Sequence, residues 1–200
     1  GVNLRFTGGE PQDITFSNSS IVVSNDYGIY TTSSYKSVNL FSSEISFSDE
    51  HGYHSDASYS PISITDSKIS NNDSYGLYNS SSYSPIYVEN SEISNNGSYG
   101  IRANSSYDEI VVNNSTISNN GSHAVYTNSD WSPITVTNSE ISDNNGYGVH
   151  ASSSNSQVYI ENSIITDNNG YGVYSGSSPG LIAKRSLIAR NESHGIYTNY

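Results

Sequence analysis

Hydrophobic residues recur along this chain every 24 residues, and within each repeat they fall at four fixed positions. If Asp13 is position 1, positions 2, 4 and 17 are apolar or aromatic in every unit, and position 9 is always isoleucine. The isoleucines of position 9 are Ile21, Ile45, Ile69, Ile93, Ile117, Ile141, Ile165 and Ile188. Such self-similarity predicts a stack of equivalent structural units. The last unit is one residue shorter, so a residue is missing near Pro179.

The spacing of the apolar positions predicts short β-strands and not helices. Positions 2 and 4 share the period of two that places alternate side chains on one buried face of a strand. Four apolar positions in a 24-residue unit are too few for an amphipathic helix, which needs one every three or four residues. We therefore expect an all-β protein, a parallel β-helix (β-solenoid) of about eight coils of 24 residues, each burying its apolar side chains against the next.

No linker or change of composition interrupts the repeat, so the pattern predicts one β-solenoid domain over residues 1–200. Within it, residues 1–12 form a partial N-terminal coil, 13–179 seven coils, and 180–200 an incomplete C-terminal coil. Polar residues repeat with the same period: asparagine dominates position 12, and serine occupies position 7 in every unit. We expect the asparagines of position 12 to form a hydrogen-bonded ladder along the stack.

The amino-acid composition excludes several classes of structure and function. Serine (44 residues) and asparagine (25 residues) dominate, and hydrophobic residues make up only 33%, a balance typical of disorder unless a regular pattern opposes it, as the isoleucines do here. A net charge of −12 with seven basic residues excludes a nucleic-acid-binding surface. The absence of cysteine excludes disulfides and cysteine chemistry. Because no stretch of about 18 apolar residues is present, we expect no membrane span.

The repeat sequence resembles that of a known superfamily. The segments NSEISNNGSYGI and NSEISDNNGYGV are similar to the repeats of the pectin-lyase-like superfamily. The resemblance covers almost the whole chain and implies a right-handed, single-stranded parallel β-helix. That superfamily includes polysaccharide lyases and hydrolases, phage tailspikes, adhesins and surface-layer proteins. The resemblance therefore implies the fold, and it leaves the function open.

Two aspartates are the best candidates for a metal site. Asp143 and Asp167 both occupy position 11 in successive units, with Arg190 one coil further. Stacked carboxylates about 5 Å apart can bind Ca²⁺ through their oxygens or share a proton. The alternative is a surface column of turn residues whose end Arg190 neutralises, and this alternative is favoured because asparagine fills the same position in three earlier units. No catalytic residue and no obligatory cofactor are predicted.

Aromatic residues form two rows in the predicted stack. Position 23 carries Tyr35, Tyr59, Tyr83, Tyr107 and Trp131, and position 18 carries Tyr30, Tyr78, Tyr126 and Tyr174. Stacked rows of this kind either bind sugar rings or another protein, or stabilise the solenoid by packing on each other. Histidine exchanges with tyrosine at positions 15 and 18, which indicates an aromatic surface, and Arg102 stands alone among these residues.

Asparagine-linked glycosylation is predicted at two of the nine Asn-x-Ser/Thr sites. Asn79 and Asn104 are the better candidates because both lie in the variable serine-rich turn, whereas several of the other sites fall in the expected asparagine ladder.

Together these features favour a structural role. We expect an extracellular or cell-surface solenoid that associates head to tail with copies of itself, since unpaired coil ends invite edge-to-edge assembly. The alternative is a carbohydrate-binding or polysaccharide-degrading module, for which glycans are the partner. The chain lacks the long inserted turns from which such enzymes build a substrate cleft.

Overall fold

The computed structural model describes residues 13–176 and 180–199, and every regular element within these ranges is a β-strand. Each coil contributes one strand to each of three eight-stranded parallel sheets that run along the stack. The predicted all-β solenoid of about eight coils is therefore confirmed. The partial coil predicted at residues 1–12, Pro179 and Tyr200 lie outside the described residues. No helix in the described part of the chain could cross a membrane.

The strands follow each other around the coil in a fixed order. The first sheet contains β1 (Ile14–Ser17), β4 (Val38–Phe41), β7 (Ile62–Thr65), β10 (Ile86–Glu89), β13 (Ile110–Asn113), β16 (Ile134–Thr137), β19 (Val158–Glu161) and β22 (Leu181–Lys184). The second contains β2 (Ser20–Ser24), β5 (Glu44–Ser48), β8 (Lys68–Ser70), β11 (Glu92–Ser94), β14 (Thr116–Ser118), β17 (Glu140–Ser142), β20 (Ile164–Thr166) and β23 (Leu187–Ala189). The third contains β3 (Ile29–Thr31), β6 (Tyr53–Ser55), β9 (Leu77–Asn79), β12 (Ile101–Ala103), β15 (Val125–Thr127), β18 (Val149–Ala151), β21 (Val173–Ser175) and β24 (Ile196–Thr198).

Equivalent positions of successive coils pair directly with each other. Ile93 of β11 lies opposite Ile69 on one side and Ile117 on the other, and the same 24-residue register holds in all three sheets. In the last coil the interval is 23 residues, since Val158 pairs with Leu181. The chain is thus shortened in the turn before Leu181, in agreement with the residue predicted to be missing there.

The four apolar positions of the repeat form the core. The isoleucines of position 9 from Ile45 to Ile165 are completely buried, and Ile188 packs against the core from the last coil. Position 17 is equally buried up to Val173, whereas Ile196 of the last described coil is 44% exposed. Burial therefore depends on a neighbouring coil on each side, as expected for a solenoid.

The predicted asparagine ladder lies inside the solenoid and connects its coils. Asn120 donates from Nδ2 to Oδ1 of Asn144 (2.9 Å), and its own Oδ1 accepts from Asn96 Nδ2 (2.9 Å) and from the Asn96 backbone N–H. The same arrangement continues to Asn191. The Oδ1 of each asparagine thus accepts hydrogen bonds from both the side-chain amide and the backbone N–H of the asparagine in the preceding coil. Because these buried polar groups have partners, the polar column is stable in the interior.

A second interior ladder, at position 24, contains one exception. Serine hydroxyls accept from the backbone N–H of the preceding coil, as Ser84 does from Ser60. Asp108 replaces serine in this column and is completely buried. The two oxygens of its carboxyl group accept from the Ser84 backbone N–H (2.7 Å) and from Asn79 Nδ2 (3.1 Å). Burial raises the pKa of Asp108 to about 8, although the hydrogen bond from Ser84 opposes the shift.

We predict that Asp108→Ser stabilises the protein at alkaline pH. The pKa of Asp108 is about 8 in the folded chain and near 3.8 when unfolded. The stability contributed by the protonated form is therefore complete below pH 3.8 and is lost as the pH rises towards 8. Urea unfolding between pH 4 and 8.5 should show a free-energy difference between variant and wild type that grows by up to about 1.4 kcal/mol per pH unit. If the difference in unfolding free energy stayed constant with pH, the pKa of Asp108 would not be raised in the folded chain.

Candidate functional site

The outer side of the third sheet carries an aromatic surface that is two residues wide. Position 18 projects from the strands, and position 15 lies in the turn immediately before them. We call this surface the aromatic face. It consists of Tyr27, Tyr30, His51, His54, Tyr75, Tyr78, Tyr99, Arg102, His123, Tyr126, Tyr147, His150, Tyr171, Tyr174, His194 and Tyr197. With strands about 4.8 Å apart, the eight coils extend it over about 34 Å.

Most neighbouring rings of the aromatic face are inclined to each other, although a few pairs stack within 26° of parallel. Neighbouring centroids lie 4.4–6.1 Å apart, and the interplanar angles range from 16° between Tyr174 and Tyr197 to 86° between His51 and Tyr78. Most of these side chains are half-buried. Because inclined rings cannot cover each other's faces completely, part of each ring remains available to a ligand.

Four histidines of the aromatic face, His51, His54, His123 and His150, are neutral at pH 7. Burial lowers the pKa of His51 and His123 to about 4, with the nearby charge of Arg102 adding to the shift, and lowers that of His150 to about 3. Nδ1 of His123 accepts from the Tyr147 backbone N–H (2.8 Å), which places the proton of the neutral ring on Nε2. Burial also lowers the pKa of His54, although Asp56, whose carboxylate lies 3.0 Å from its Nε2, opposes this.

The row at position 23, which we call the tyrosine column, has a different geometry. Tyr35, Tyr59, Tyr83 and Tyr107 stack with centroids 4.7–5.0 Å apart and planes within 4° of parallel, and Trp131 extends the stack at 6.4 Å. Each inner ring is covered on both faces by its neighbours. The column is 44–67% exposed, but it offers a ligand mainly ring edges and hydroxyls.

The backbone of the tyrosine column is left-handed, with φ between 55° and 67°. Aromatic residues are uncommon in this region, which favours glycine and asparagine. Asn155 occupies the same position in the next coil, with φ 56°. Stacking of successive rings, worth about 0.5–1.5 kcal/mol per pair, offsets the cost of this conformation. The geometry thus favours the stacking role for the column.

The two aspartates predicted to bind Ca²⁺ lie on a surface turn between the second and third sheets. Arg190 donates from Nε and Nη2 to the two carboxylate oxygens of Asp167 (2.8 and 2.6 Å), and this interaction lowers the pKa of Asp167. Asp143 and Asp167 line a depression of about 470 Å³ with Arg190. No group of three or more His, Asp or Glu side chains in the described ranges could hold a metal ion. A calcium ion would have to displace Arg190, and its binding stays a prediction.

A polar trough of about 770 Å³ follows the corner between the first and second sheets. Its serine side chains are engaged internally, as Ser91 is by donating to the Glu89 carbonyl. Lys68 and Glu92 form an ion pair across it (3.0 Å). Because these groups already have partners, the trough is a weaker candidate for a binding site than the aromatic face.

The two predicted glycosylation sites differ in accessibility. Asn79 is completely buried, and its Nδ2, the atom that would carry a glycan, donates to the carbonyls of Ser81 and Ser84 and to Asp108. A glycan could attach there only before folding or after loss of these bonds. Asn104 is half-buried, and its Oδ1 accepts a long hydrogen bond from Arg102 (3.4 Å), so it stays a prediction.

Comparison with known proteins identifies the family. The sequence model of the family described as the right-handed beta helix region matches this chain twice, over residues 1–163 and over the overlapping range 134–200. The chain belongs to this right-handed β-helix family. The resemblance inferred from the repeats is thereby confirmed.

Two solved structures are similar to this β-helix. Pectate lyase Pel9A matches with a TM-score of 0.57 at 14% identity, over 96% of this chain and 67% of that one. The A-module of mannuronan C-5 epimerase AlgE6 from Azotobacter vinelandii matches with a TM-score of 0.37 at 12% identity, over 97% of this chain and 66% of that one. A comparison with curated proteins found no match. The likeness to the pectate lyase is one of fold, so the site has to be argued from this chain's own side chains.

The sequence predicted only part of the aromatic face. The exchange of tyrosine with histidine at positions 15 and 18 predicts an aromatic surface at both positions, but it does not show that the two rows contact each other, as Tyr75 and Tyr78 do with ring centroids 5.2 Å apart. The signal was present, since both positions carry tyrosine or histidine in nearly every unit and lie three residues apart around a tight turn. Position 16, which lies between them, is glycine in every unit except the one with Ala124. A small residue is favoured there because a Cβ on Gly100 would lie 2.7 Å from the Ala124 carbonyl oxygen.

We predict that His150→Tyr reduces the loss of stability in acid. Below pH 6.5 the unfolded chain protonates this histidine, whereas the folded chain does so only near pH 3, so its contribution to stability is lost as the pH falls through this window. Tyrosine already flanks His150 in the same row, at Tyr126 and Tyr174. Urea unfolding between pH 7.5 and 4 gives the unfolding free energy at each pH. Its decrease with falling pH should be smaller in the variant by up to about 1.4 kcal/mol per pH unit. An equal decrease in both proteins would contradict the lowered pKa of His150.

Proposed function

We propose that this β-helix protein binds an extended polysaccharide along its aromatic face. The observation that carries the proposal is the continuous surface of rings over eight coils, most of them half-buried and most of them inclined to their neighbours. The C–H faces of sugar rings pack on aromatic rings, while tyrosine hydroxyls and neutral imidazoles can hydrogen-bond to sugar hydroxyls. Because the rows run along the solenoid axis, a linear chain can contact them over many sugar units.

The electrostatics and the fold support this proposal. His51, His123 and His150 are neutral near pH 7, so most of the surface is uncharged and suits a ligand rich in hydroxyl groups. The fold is shared with a protein named as a pectate lyase, which acts on a polysaccharide. Asp56 contacts His54 of the face, but its carboxylate accepts from the Tyr30 hydroxyl (2.6 Å) and from Ser80. Because these bonds engage it within the protein, it is not free to act as a catalytic acid or base, which favours binding over catalysis at the face. We infer an extracellular or cell-surface location, where such polysaccharides occur.

The test compares two matched double variants. Tyr78→Ala with Tyr126→Ala removes two rings from the aromatic face, and Tyr83→Ala with Tyr107→Ala removes two rings of the same type from the tyrosine column. Affinity gel electrophoresis against cellulose derivatives, xylan, glucuronoxylan, chitosan and polygalacturonate would measure retention. We expect the face variant to lose at least about tenfold in affinity, or about 1.4 kcal/mol, and the column variant less than about twofold.

Circular dichroism and thermal unfolding would verify that both variants keep the β-helix. If the wild type is retained by none of these polysaccharides, or if the column variant loses more affinity than the face variant, the proposal is wrong.

Head-to-tail association is the second candidate function. Its supporting observation is that Ile196 of the last described coil is 44% exposed, and that Ile188 loses the complete burial of its equivalents. A neighbouring coil, from another copy or from further sequence, would cover these side chains. Light scattering should then show a mass that rises with protein concentration and falls when Ile196→Asp is introduced. A constant monomer mass would exclude it.

A further inference from the structure

One cation lies at the centre of the aromatic face. Arg102 belongs to β12, and its row neighbours on either side are Tyr78 and Tyr126. Its guanidinium carbon lies 5.2–5.6 Å from four tyrosine ring centroids, those of Tyr75, Tyr78, Tyr99 and Tyr126. Cation–π contacts of this kind hold a charge in place without neutralising it.

Arg102 has no acidic partner among the described residues. Its Nη1 donates to the Tyr75 hydroxyl (2.8 Å) and its Nη2 to Asn104 Oδ1 (3.4 Å), and its buried Nε has no acceptor. The other arginines in the described ranges, Arg185 and Arg190, each pair with a carboxylate. In a chain of net charge −12, an uncompensated arginine with unused hydrogen-bonding capacity needs an explanation. The side chain as a whole is only half-buried, so a ligand can supply the missing anion.

The remainder of the aromatic face would repel a dense polyanion. Its tyrosines cannot carry a positive charge, and His51, His54, His123 and His150 are neutral at pH 7. At the first coils, burial raises the pKa of Tyr27, and the nearby carboxylates of Asp26, Glu50 and Asp56 raise it further, so negative charges lie close to this end of the face. A polymer with a carboxylate on every sugar would place many negative charges along the face, against a single cation.

We propose that Arg102 binds the carboxylate of an isolated uronic acid within an otherwise neutral polysaccharide. This inference rests on the proposed function and specifies its ligand: neutral sugars pack on the tyrosines and histidines, and one acidic sugar lies at the centre. The planar guanidinium matches a carboxylate, and the surrounding rings exclude water from the contact, which strengthens it. Arg102 thereby sets both the register and the charge density of the bound chain.

The experiment uses one polysaccharide in two forms. Glucuronoxylan carries sparse carboxylates on a neutral backbone, and its carboxyl-reduced form differs only in charge. We expect the wild type to bind glucuronoxylan at least about tenfold more tightly than the reduced form, with a preference that weakens as salt increases. Arg102→Tyr, which restores the residue found in the neighbouring coils, should abolish this preference, and Arg102→Lys should retain part of it.

Lys68→Gln is the matched control, because it removes the same charge from the opposite corner of the coil and should leave the preference unchanged. Equal binding of both forms by the wild type, while the Tyr78 and Tyr126 double variant still loses affinity, would overturn the role of Arg102 and leave polysaccharide binding intact. Tighter binding of polygalacturonate than of glucuronoxylan would overturn the requirement for sparse charge. Retention of only a neutral polysaccharide would also overturn the inference, and retention of none would overturn the proposed function itself.

Discussion

The backbone hydrogen bonds between successive coils are the constraint on which this structure depends. Each strand is too short to be stable alone, and its N–H and C=O groups are satisfied only when position n of one coil lies beside position n of the next. This register stacks identical side chains about 4.8 Å apart. Each position of the repeat, whether apolar, amide or aromatic, therefore forms a row of similar side chains along the axis of the solenoid.

The consequence of this register differs inside and outside the solenoid. Inside, isoleucine columns exclude water, and the asparagine ladder from Asn72 to Asn191 satisfies its own buried amides. Exceptions such as Asp108 are tolerated where a neighbouring side chain, here Asn79, supplies a hydrogen bond. Outside, rows are free to vary, and single departures such as Arg102 lie among residues of another chemical type. We infer that the specific chemistry of this protein lies in these departures.

The 24-residue pattern predicted the strands, the register, the apolar core and the asparagine ladder, because each depends on residue type at one repeated position. It did not predict which aromatic rows present their ring faces. That property depends on side-chain rotamers and on contacts between positions 15 and 18, which the alignment of single positions does not show. Likewise, Asn79 was a reasonable glycosylation site by sequence, but only the packing of Asp108 above it shows that its amide is buried.

The central claim is that stacking in register creates one binding surface on the third sheet. Hydroxyl-radical footprinting of the protein with and without a bound polysaccharide tests it most directly, because tyrosine oxidation reports the exposure of each ring separately. We expect strong protection of Tyr75, Tyr99 and Tyr126 on the aromatic face and unchanged oxidation of Tyr59 and Tyr83 in the tyrosine column. Protection of the column with no change on the face would contradict the account.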